Sequence, residues 1–590
     1  MNSKLTHLTH ECDFCVVGGG LSGLCAALSA ARHGIKVILI QDRPVLGGNS
    51  SSEIRMWVRG AGREYREPGI ISELDLINIY KNPHMNAHMW DMVLYDTARK
   101  EENLTLILNC SVCNAETSEG RITSVTGWQL TTYTWHTVKA KLFADCSGDS
   151  ILAPLVGASY RVGREGRDEF SESMTNEKPD GHHMGMSCLL QARETDHPVE
   201  FIPPEWAERF PDESRLEGKK HDGVNTGENG SNFWWIEVGG DTADGISDTE
   251  ACRDRLLAIA MGVWDHVKNT GNHGAENWEL EWVGFLPGKR ESRRYVGEYI
   301  LNGNDLVEER DFEDTIAYGG WTMDNHDPAG IDAEGYSSVH TSVRNPYPIP
   351  YRSLYSVNID NLFFAGRNIS ASHMAMSSTR VMATCSLMGQ AVGTAASICI
   401  KRRLSPKGVY TNAISELQRK LQDDGIWLPG HPRKLHSIMN GAVWSKDGDI
   451  LSDGIERQLS DGSHCTVIDE PLRLTLALPL PDGEDFALRL CFDPDYTRKT
   501  INPTGVGNPY SQKSHRRLDF KPLSMPANLA KRLTVKIMTD NGDVITRDYD
   551  DIHTPVLKLA LPVGTVSVEI TAEAWGGKVN LFSFDVISCD

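Results

Sequence analysis

The chain has 590 residues, enough for about three or four domains at a soft prior of ~150 residues each. Hydrophobic residues make up 40% and charged residues 24%, which rules out a disordered or collagen-like chain. With 59 basic against 80 acidic residues the net charge is −21, which argues against a main role with nucleic acid or an anionic membrane, yet leaves room for a local basic pocket. Thirteen cysteines over this length suit a reducing compartment better than a disulfide framework. The opening residues lack an apolar stretch before the first strand, so no signal peptide is expected. The long apolar run Val381 to Ile400 is broken by Thr384, Ser386, Gln390, Thr394 and Ser397, and reads as a buried core helix rather than a membrane span. The expected setting is cytoplasmic and soluble.

In chain order, Asp13–Val17 reads as a buried strand, followed by glycines, a small-residue helix to Arg32 and a second strand at Lys36–Ile40. Residues 84–102 carry Trp90, Val93, Leu94 and Ala98 at helical spacing. Residues 104–144 turn to a β pattern with a turn at Glu119-Gly120. From about Tyr160 to His340 the composition shifts to Trp, Asn, Asp and Gly without βα units, as expected of an inserted domain. A strand returns at Asn361–Ala365, then a polar loop, the long buried helix and a polar helix over 411–423. Beyond about 437, runs such as Leu472–Leu478, Phe486–Phe492, Leu533–Met538, Val556–Leu561 and Val566–Ala572 alternate like a β-sandwich. The fold class expected is α/β: a Rossmann-type nucleotide-binding domain (1–160 and 341–404), an inserted α+β domain (161–340), a helical linker (405–436) and a C-terminal jelly-roll-like sandwich (437–590).

The strongest local signal is Gly18-Gly19-Gly20-Leu21-Ser22-Gly23, a G-x-G-x-x-G between strand and helix. Gly18 permits the tight turn, Gly20 lets backbone approach a pyrophosphate and Gly23 lets helix and strand pack closely. The helix N-terminus, from Leu21 and Ser22 onward, adds free N–H groups and partial positive charge. An acidic residue is expected about 20 residues on to hold the ribose hydroxyls. That slot reads Gln41-Asp42-Arg43: Gln41 has the position and Asp42 the usual chemistry.

Next comes Gly47-Gly48-Asn49-Ser50, a second glycine pair followed by hydroxyl residues and by Glu53 and Arg55. Here the sequence resembles the FAD-dependent oxidoreductases of the glutathione-reductase/fumarate-reductase superfamily, in which such a loop runs beside the FAD phosphates and flavin. The stretch Phe143 to Asp149, with Ser147 and Gly148, looks like the strand and loop that follow the meander in those proteins. Asn361 to Asn368 looks like their C-terminal FAD motif, although Arg367 stands where an acidic residue is common. Three further segments look like the FAD-dependent oxidoreductase family in the narrower sense: Leu286 to Arg294, Gly320 to His326, and Pro350 to His373. The resemblance implies non-covalent FAD, because the loop Gly47–Glu53 has no histidine to attach it. It also implies Val112 near the adenine, and a helix beginning near Ser377 aimed at the flavin pyrimidine.

Redox chemistry of this type needs a base for the substrate proton. His373, in the loop before the buried helix, is the first candidate. Arg290, Arg293, Arg294 and Arg380 are candidate anion handles, since a guanidinium fork suits carboxylates and flavin carbonyls. Asp324, His326 and His340 would complete the pocket, with Arg290, Arg380 and His340 taken as catalytic beside His373. His182-His183 are poor co-ligands without partners, so no metal is expected. The pairs Cys12/Cys15 and Cys110/Cys113 lie on strands, where residues three apart face opposite sides, so neither chelation nor a redox disulfide is expected. The sandwich loosely resembles galactose-binding-like modules, with Trp575 as an exposed aromatic platform.

The reading is therefore an FAD-dependent oxidoreductase taking hydride from a small polar substrate, such as a sugar or sugar acid, and passing electrons to an unidentified acceptor. The alternatives are an NAD(P)-dependent dehydrogenase on the same glycine loop and a non-catalytic carbohydrate-binding protein. A homo-oligomer is compatible with it; nucleic acid and membrane partners are not expected.

Overall fold

A computed structural model describes residues 5–219, 221, 233–241, 244–308, 310–459, 462–498, 518 and 521–589. They fall into two compact units: one of residues 5–61, 84–414 and the described part of 500–523, the other of 62–83, 415–498 and 524–589.

The first unit is built on one twisted sheet. β1 (Thr6–Val17), α1 (Leu21–Arg32) and β2 (Val37–Ile40) form the opening strand–helix–strand. After α2 (Ala87–Arg99), β3 (Leu104–Ile107) adds to the edge of β2, so the parallel order is β3-β2-β1. The sequence reading merged β3 with the three-stranded meander that follows it. That meander is β4 (Cys110–Ser118), β5 (Arg121–Gln129) and β6 (Thr134–Asp145), antiparallel among themselves. β6 lies parallel to β1 along its whole length and takes β7 (Leu362–Phe364) on the other side of its last residues. All four residues of β2 are buried and apolar, as a strand covered on both faces requires.

Inserted between β6 and β7 are short two-stranded ladders and one long helix, α3 (Thr249–Asp265). They enclose a separate core around Phe233, Trp235, Trp264 and Trp278. One ladder, Thr315–Gly319 with Tyr347–Pro350, extends past residue 340, where the sequence reading ended the insertion.

The long helix expected over Val381–Ile400 is α5 (Met382–Arg402); a short helix, α4 (His373–Thr379), stands before it in place of the expected polar loop, with Arg380–Val381 between the two. Helix α5 is long and apolar enough to cross a membrane, but 94% of that window is buried inside the fold. It lies against α1 through small residues. A Cβ at Gly389 would run into the Ser22 carbonyl and one at Gly393 into that of Ala26, while Ser29 and Thr394 hydroxyls meet at 2.9 Å.

The second unit is all-β apart from a few helices. One sheet runs in the order Val443–Trp444, β8 (Leu472–Thr475), β13 (Thr565–Ala574), β10 (Ala530–Thr539) and β11 (Val544–Tyr549). The other runs Thr466–Ile468, β14 (Val579–Ser588), β9 (Phe486–Phe492) and β12 (Val556–Leu561). Side chains from both sheets share one apolar core. Helix Ile70–Lys81 also belongs to this unit, far from the sandwich in sequence, and its Leu76 joins that core. The unit begins at Ser415, inside the helical segment Pro406–Asp423 and just after the non-helical Ala413. Trp575 is not the exposed platform expected. It is half-buried, donates from Nε1 to the Ile552 carbonyl at 3.0 Å, meets Tyr80 edge-on and carries Lys531 over its ring.

Candidate active site

The carboxyl ends of β1, β2, β6 and β7 converge on a cavity of about 630 Å³, inside the usual range for small-molecule sites. That is where an open α/β sheet places its ligand, beside the strands whose order reverses.

The glycine loop forms one wall. Gly18 has φ +102°, and a Cβ there would stand 2.5 Å from Cys146 and Ser147 backbone, so both turn and packing demand glycine. Gly23 does not line the cavity; a Cβ on it would collide with the Gly18 carbonyl, which is the close helix–strand contact expected of it. At Gly20 the backbone is ordinary extended chain, and a Cβ would meet only Gly48 Cα at 3.8 Å. The space beside Gly20 is therefore open for a ligand. Gly20 caps α1 without a side chain, so the first N–H groups of Leu21 and Ser22, both lining residues, have no partner within the helix.

Gly47 and Gly48, both at positive φ, lock onto this loop through a bridge between Gly20 and Gly47. Asn49 lines the cavity and holds the Lys289 carbonyl at 3.0 Å. Ser50 does not line it; its hydroxyl donates to the Gly47 carbonyl and accepts from the Trp90 indole.

In the ribose slot Gln41 and Asp42 have different surroundings. Gln41 is 2% exposed, accepts from the Gly19 N–H at 2.7 Å and donates to the Val45 carbonyl at 3.2 Å. Its amide thus braces the glycine loop. Asp42 also lines the cavity with a side chain 59% exposed, and Arg43 beside it reaches Glu53 at 3.3 Å. Val112 lines the same end.

On the far wall, Ser147, Gly148, Asp149, Gly366 and Arg367 all line the cavity. Asp149 accepts from Arg367 at 2.6 Å, Lys289 at 2.9 Å and Ser292 at 2.8 Å. Burial raises its carboxyl pKa, but the charges of Arg367 and Lys289 outweigh it and bring it down to about 2. The arginine standing where relatives carry an acid is therefore neutralised by Asp149. Asn368 lies outside the cavity, donating to the Asp145 carbonyl at 3.3 Å. The Asp145 carboxylate, fully buried, collects donors from Ser147, Leu152 and Tyr295 and ties the end of β6 to its neighbours.

The polar end holds three of the four catalytic candidates. Arg380, Arg290 and His340 line the cavity; His373 does not. The His373 ring is 3% exposed, with Nδ1 on Glu291 at 2.9 Å and Nε2 on Asn325 at 2.9 Å. It belongs to a buried network with Arg294, Glu165 and Glu291. A short helix, α4, occupies the position read as an open loop, and this turns the ring into the protein. The helix N-terminus at the cavity is that of α5, where Val381, Met382 and Cys385 line it, rather than one near Ser377.

Asp324 organises what remains. His326 Nε2, His340 Nε2 and Arg380 each stand 3.4 Å from its carboxylate. Burial opposes its ionisation, but the His326 hydrogen bond and the neighbouring cations hold its pKa well below the carboxylate range. His326 Nδ1 is bound to Glu237 at 2.7 Å, and Arg290 meets the same carboxylate at 3.3 Å. His340 differs: its side chain is 49% exposed, and Nδ1 meets the Thr322 hydroxyl at 2.9 Å.

Sequence reasoning missed the walls of this end. Trp57, Arg59, Trp234 and Trp321 all line it. The Arg59 guanidinium lies over Trp57 (4.8 Å) and Trp321 (5.7 Å) and makes no hydrogen bond among the described residues. Burial lowers its pKa to about 10. Trp57 Nε1, Trp321 Nε1 and Arg380 Nε are buried donors without a partner among the described residues, as is Arg367 Nε on the far wall. An unmet buried donor costs roughly 1–3 kcal/mol, so this cluster suits an acceptor-rich ligand. The readable signal was the run Trp57-Val58-Arg59 directly after the second glycine loop.

His182 and His183 do not form a pair. The first meets Arg164 and Asp180, the second the Met184 carbonyl. All thirteen cysteines are free, with Cys15 and Cys110 buried, Cys12 half-buried and Cys113 exposed.

None of the curated proteins matches the chain. Among solved structures, the chain is similar to a geranylgeranyl bacteriochlorophyll reductase-like protein from Thermoplasma acidophilum, at 11% identity and TM-score 0.32, covering 71% of this chain and 85% of that one. It is also similar to an anhydrotetracycline hydroxylase from Streptomyces rimosus, at 10% identity and TM-score 0.33, covering 70% and 69%. A third is a p-nitrophenol 4-monooxygenase from Pseudomonas putida, at 11% identity and TM-score 0.30, covering 70% and 88%. The family described as FAD dependent oxidoreductase matches residues 13–421, well over half of the chain and every segment that builds the cavity. With a glycine loop open at Gly20, free helix N–H groups and a cavity of cofactor size, the residues present fit FAD, and the chain belongs to the FAD-dependent oxidoreductases.

Proposed function

We propose that this enzyme dehydrogenates a small, anionic, polyol-type substrate such as a sugar acid, held at the Arg59–Asp324 end of the cavity. The observation that carries the reading is the set of donors on Trp57, Trp321 and Arg380 left unmet among the described residues, around an Arg59 whose guanidinium makes no hydrogen bond to those residues. Tryptophan faces suit the apolar faces of a sugar ring, while guanidinium and indole N–H groups take its oxygens. When bound, FAD supplies the two-electron acceptor for the hydride of a substrate C–H bond.

The remaining work falls to side chains. His340 is the candidate base for the hydroxyl proton. Its Nδ1 meets the Thr322 hydroxyl, its Nε2 faces the Ser338 hydroxyl at 3.5 Å and the Asp324 carboxylate at 3.4 Å, and that carboxylate favours the cation formed when the ring takes up the proton. Asp42 is proposed for the ribose hydroxyls in place of Gln41, and Arg367 with Asp149 for the phosphate side. Electrons leave to an acceptor not identified from sequence or geometry.

The test is anaerobic bleaching of the bound flavin by a library of neutral sugars, sugar acids and hydroxy acids. Acids are expected to bleach it and the matching neutral sugars to do so poorly. Arg59→Met should remove that preference, and His340→Ala should slow reduction about 10²–10⁴-fold, as for a lost general base. Bleaching by neutral sugars at the same rate as by acids, or an unaltered rate in His340→Ala, would contradict the reading.

A further inference from the structure

Away from the cavity, the inserted segment brings four side chains together: Glu213, His221, His266 and His273. One ligand-capable atom of each lies within 4.8 Å of all the others. None of the four lines the flavin cavity. We propose that this cluster is a structural zinc site of His₃Glu type, which none of the relatives' names suggests and which departs from the expectation of no metal. It stands independently of the substrate reading above.

The chemistry of the rings points to a cation. His221 is 7% exposed and His266 2% exposed. Nδ1 of His221 faces the Lys219 carbonyl at 3.2 Å, and Nδ1 of His266 faces the Phe210 carbonyl at 2.9 Å. A carbonyl oxygen can only accept, so both Nδ1 atoms carry the hydrogen and both Nε2 atoms present lone pairs. Such a backbone-carbonyl brace on the outer nitrogen is how metal-binding histidines are fixed in tautomer and direction. Nε2 of His221 is buried and has no hydrogen-bond partner among the described residues. Nε2 of His266 and Nε2 of His273 lie 3.2 Å apart, and the Glu213 carboxylate is 4.0 Å from His273 Nε2.

Hydrogen bonding does not satisfy this arrangement. A single proton on His273 Nε2 can serve His266, but His221 Nε2 is then left with a buried, unmet lone pair. A central zinc ion meets every one of them. Zinc–nitrogen distances of about 2.0–2.1 Å in a tetrahedron imply ligand separations of roughly 3.4 Å, close to the His266–His273 spacing. Three imidazoles and one carboxylate are borderline ligands of the kind zinc takes, and four protein ligands leave no open position, so the site is structural rather than catalytic.

The local fold supports a purpose. Helix α3 passes at its end into a π-helical turn, His266–Thr270, and the chain then reverses at Gly271. This wider turn carries His273 back beside His266. The other two ligands come from the segment that follows Phe210; the Phe210 ring and the Leu216 side chain enter the same core as Trp264 and Val267. Zinc would pin that irregular segment to the end of α3, where secondary structure provides no ladder.

The experiment uses untagged full-length protein carrying its flavin, so that no affinity tag supplies metal. Elemental analysis is expected to find about one zinc per chain. Chelator-stripped protein titrated with Co²⁺ alone should develop the visible bands of tetrahedral cobalt, and zinc should then displace them. His221→Ala and His266→Ala should abolish both signals while flavin content is kept. Glu213→Gln, at an exposed position and therefore safe for folding, should lower zinc affinity by at least about 10-fold. Stripped protein that takes up neither zinc nor cobalt, or histidine variants that retain full zinc, would overturn the proposal.

Discussion

At the scale of single residues, burial and hydrogen bonding distinguish side chains that spacing alone treats alike. Gln41 occupies the ribose position by count along the chain, yet its amide accepts from Gly19 and donates to the Val45 carbonyl, while the Asp42 side chain stays exposed beside the cavity. His373 was singled out by its place in the chain, but its neighbours are Glu291 and Asn325 rather than the cavity. Arg367 was legible as an anomaly; its partner Asp149 was legible only as part of a loop. The pair carries a prediction with a definite pH sign. Because the folded pKa of Asp149 falls from 3.8 to about 2, its contribution is fully present above about pH 4 and fades as pH drops toward 2. Asp149→Asn should therefore cost about 2 kcal/mol of stability at neutral pH. In urea titrations at fixed FAD, the gap from wild type should stay level down to about pH 4 and close below it. A gap that widens on acidification would refute this account of the pair.

At the scale of elements, the long periodic pieces were legible and the short or uniformly apolar ones were not. Helix α2 declared itself by a one-sided stripe of Trp90, Val93, Leu94 and Ala98, all buried. Helix Ile70–Lys81 is buried on nearly all sides, so it has no such stripe and gave no signal. Strand β14 was missed for a similar reason: buried residues run unbroken from Leu581 to Ile587 without alternation. The break between α4 and α5 has no proline or glycine to announce it. Yet it decides which helix end meets the cavity. Packing of α5 on α1 is the element that holds the glycine loop in place. A methyl group at Gly393 would strike the Ala26 carbonyl and stand 2.9 Å from Ser29 Cβ. Gly393→Ala should destabilise the protein by about 1–3 kcal/mol, as overpacked cores do, and weaken FAD retention because α1 is displaced. An unchanged denaturation midpoint with undiminished FAD content would show that this contact does not position the loop.

At the scale of the whole molecule, what the sequence made legible is the cofactor half. The strand–glycine–helix opening, the second glycine loop and the Gly366 junction lie up to 348 positions apart, yet all three border one cavity. The polar end of the cavity reads as loop in the sequence, because Trp57, Trp234 and Trp321 lie outside any strand or helix, and His326 and His340 sit on four-residue strands too short to show a period. The β unit was legible as alternating strands, but its claim on residues 62–83 was not, since nothing local marks a segment whose unit resumes only at Ser415.

The account rests on FAD lying against the glycine loop within this cavity, and Gly20 tests it most directly. Its backbone is ordinary extended chain and a Cβ there meets only Gly48 Cα at 3.8 Å, so the fold leaves room for a Cβ where a bound pyrophosphate would not. Denaturing the purified protein and counting the FAD released should give about one per chain for wild type and close to none for a folded Gly20→Val. A folded Gly20→Val that still releases one FAD per chain would contradict the account.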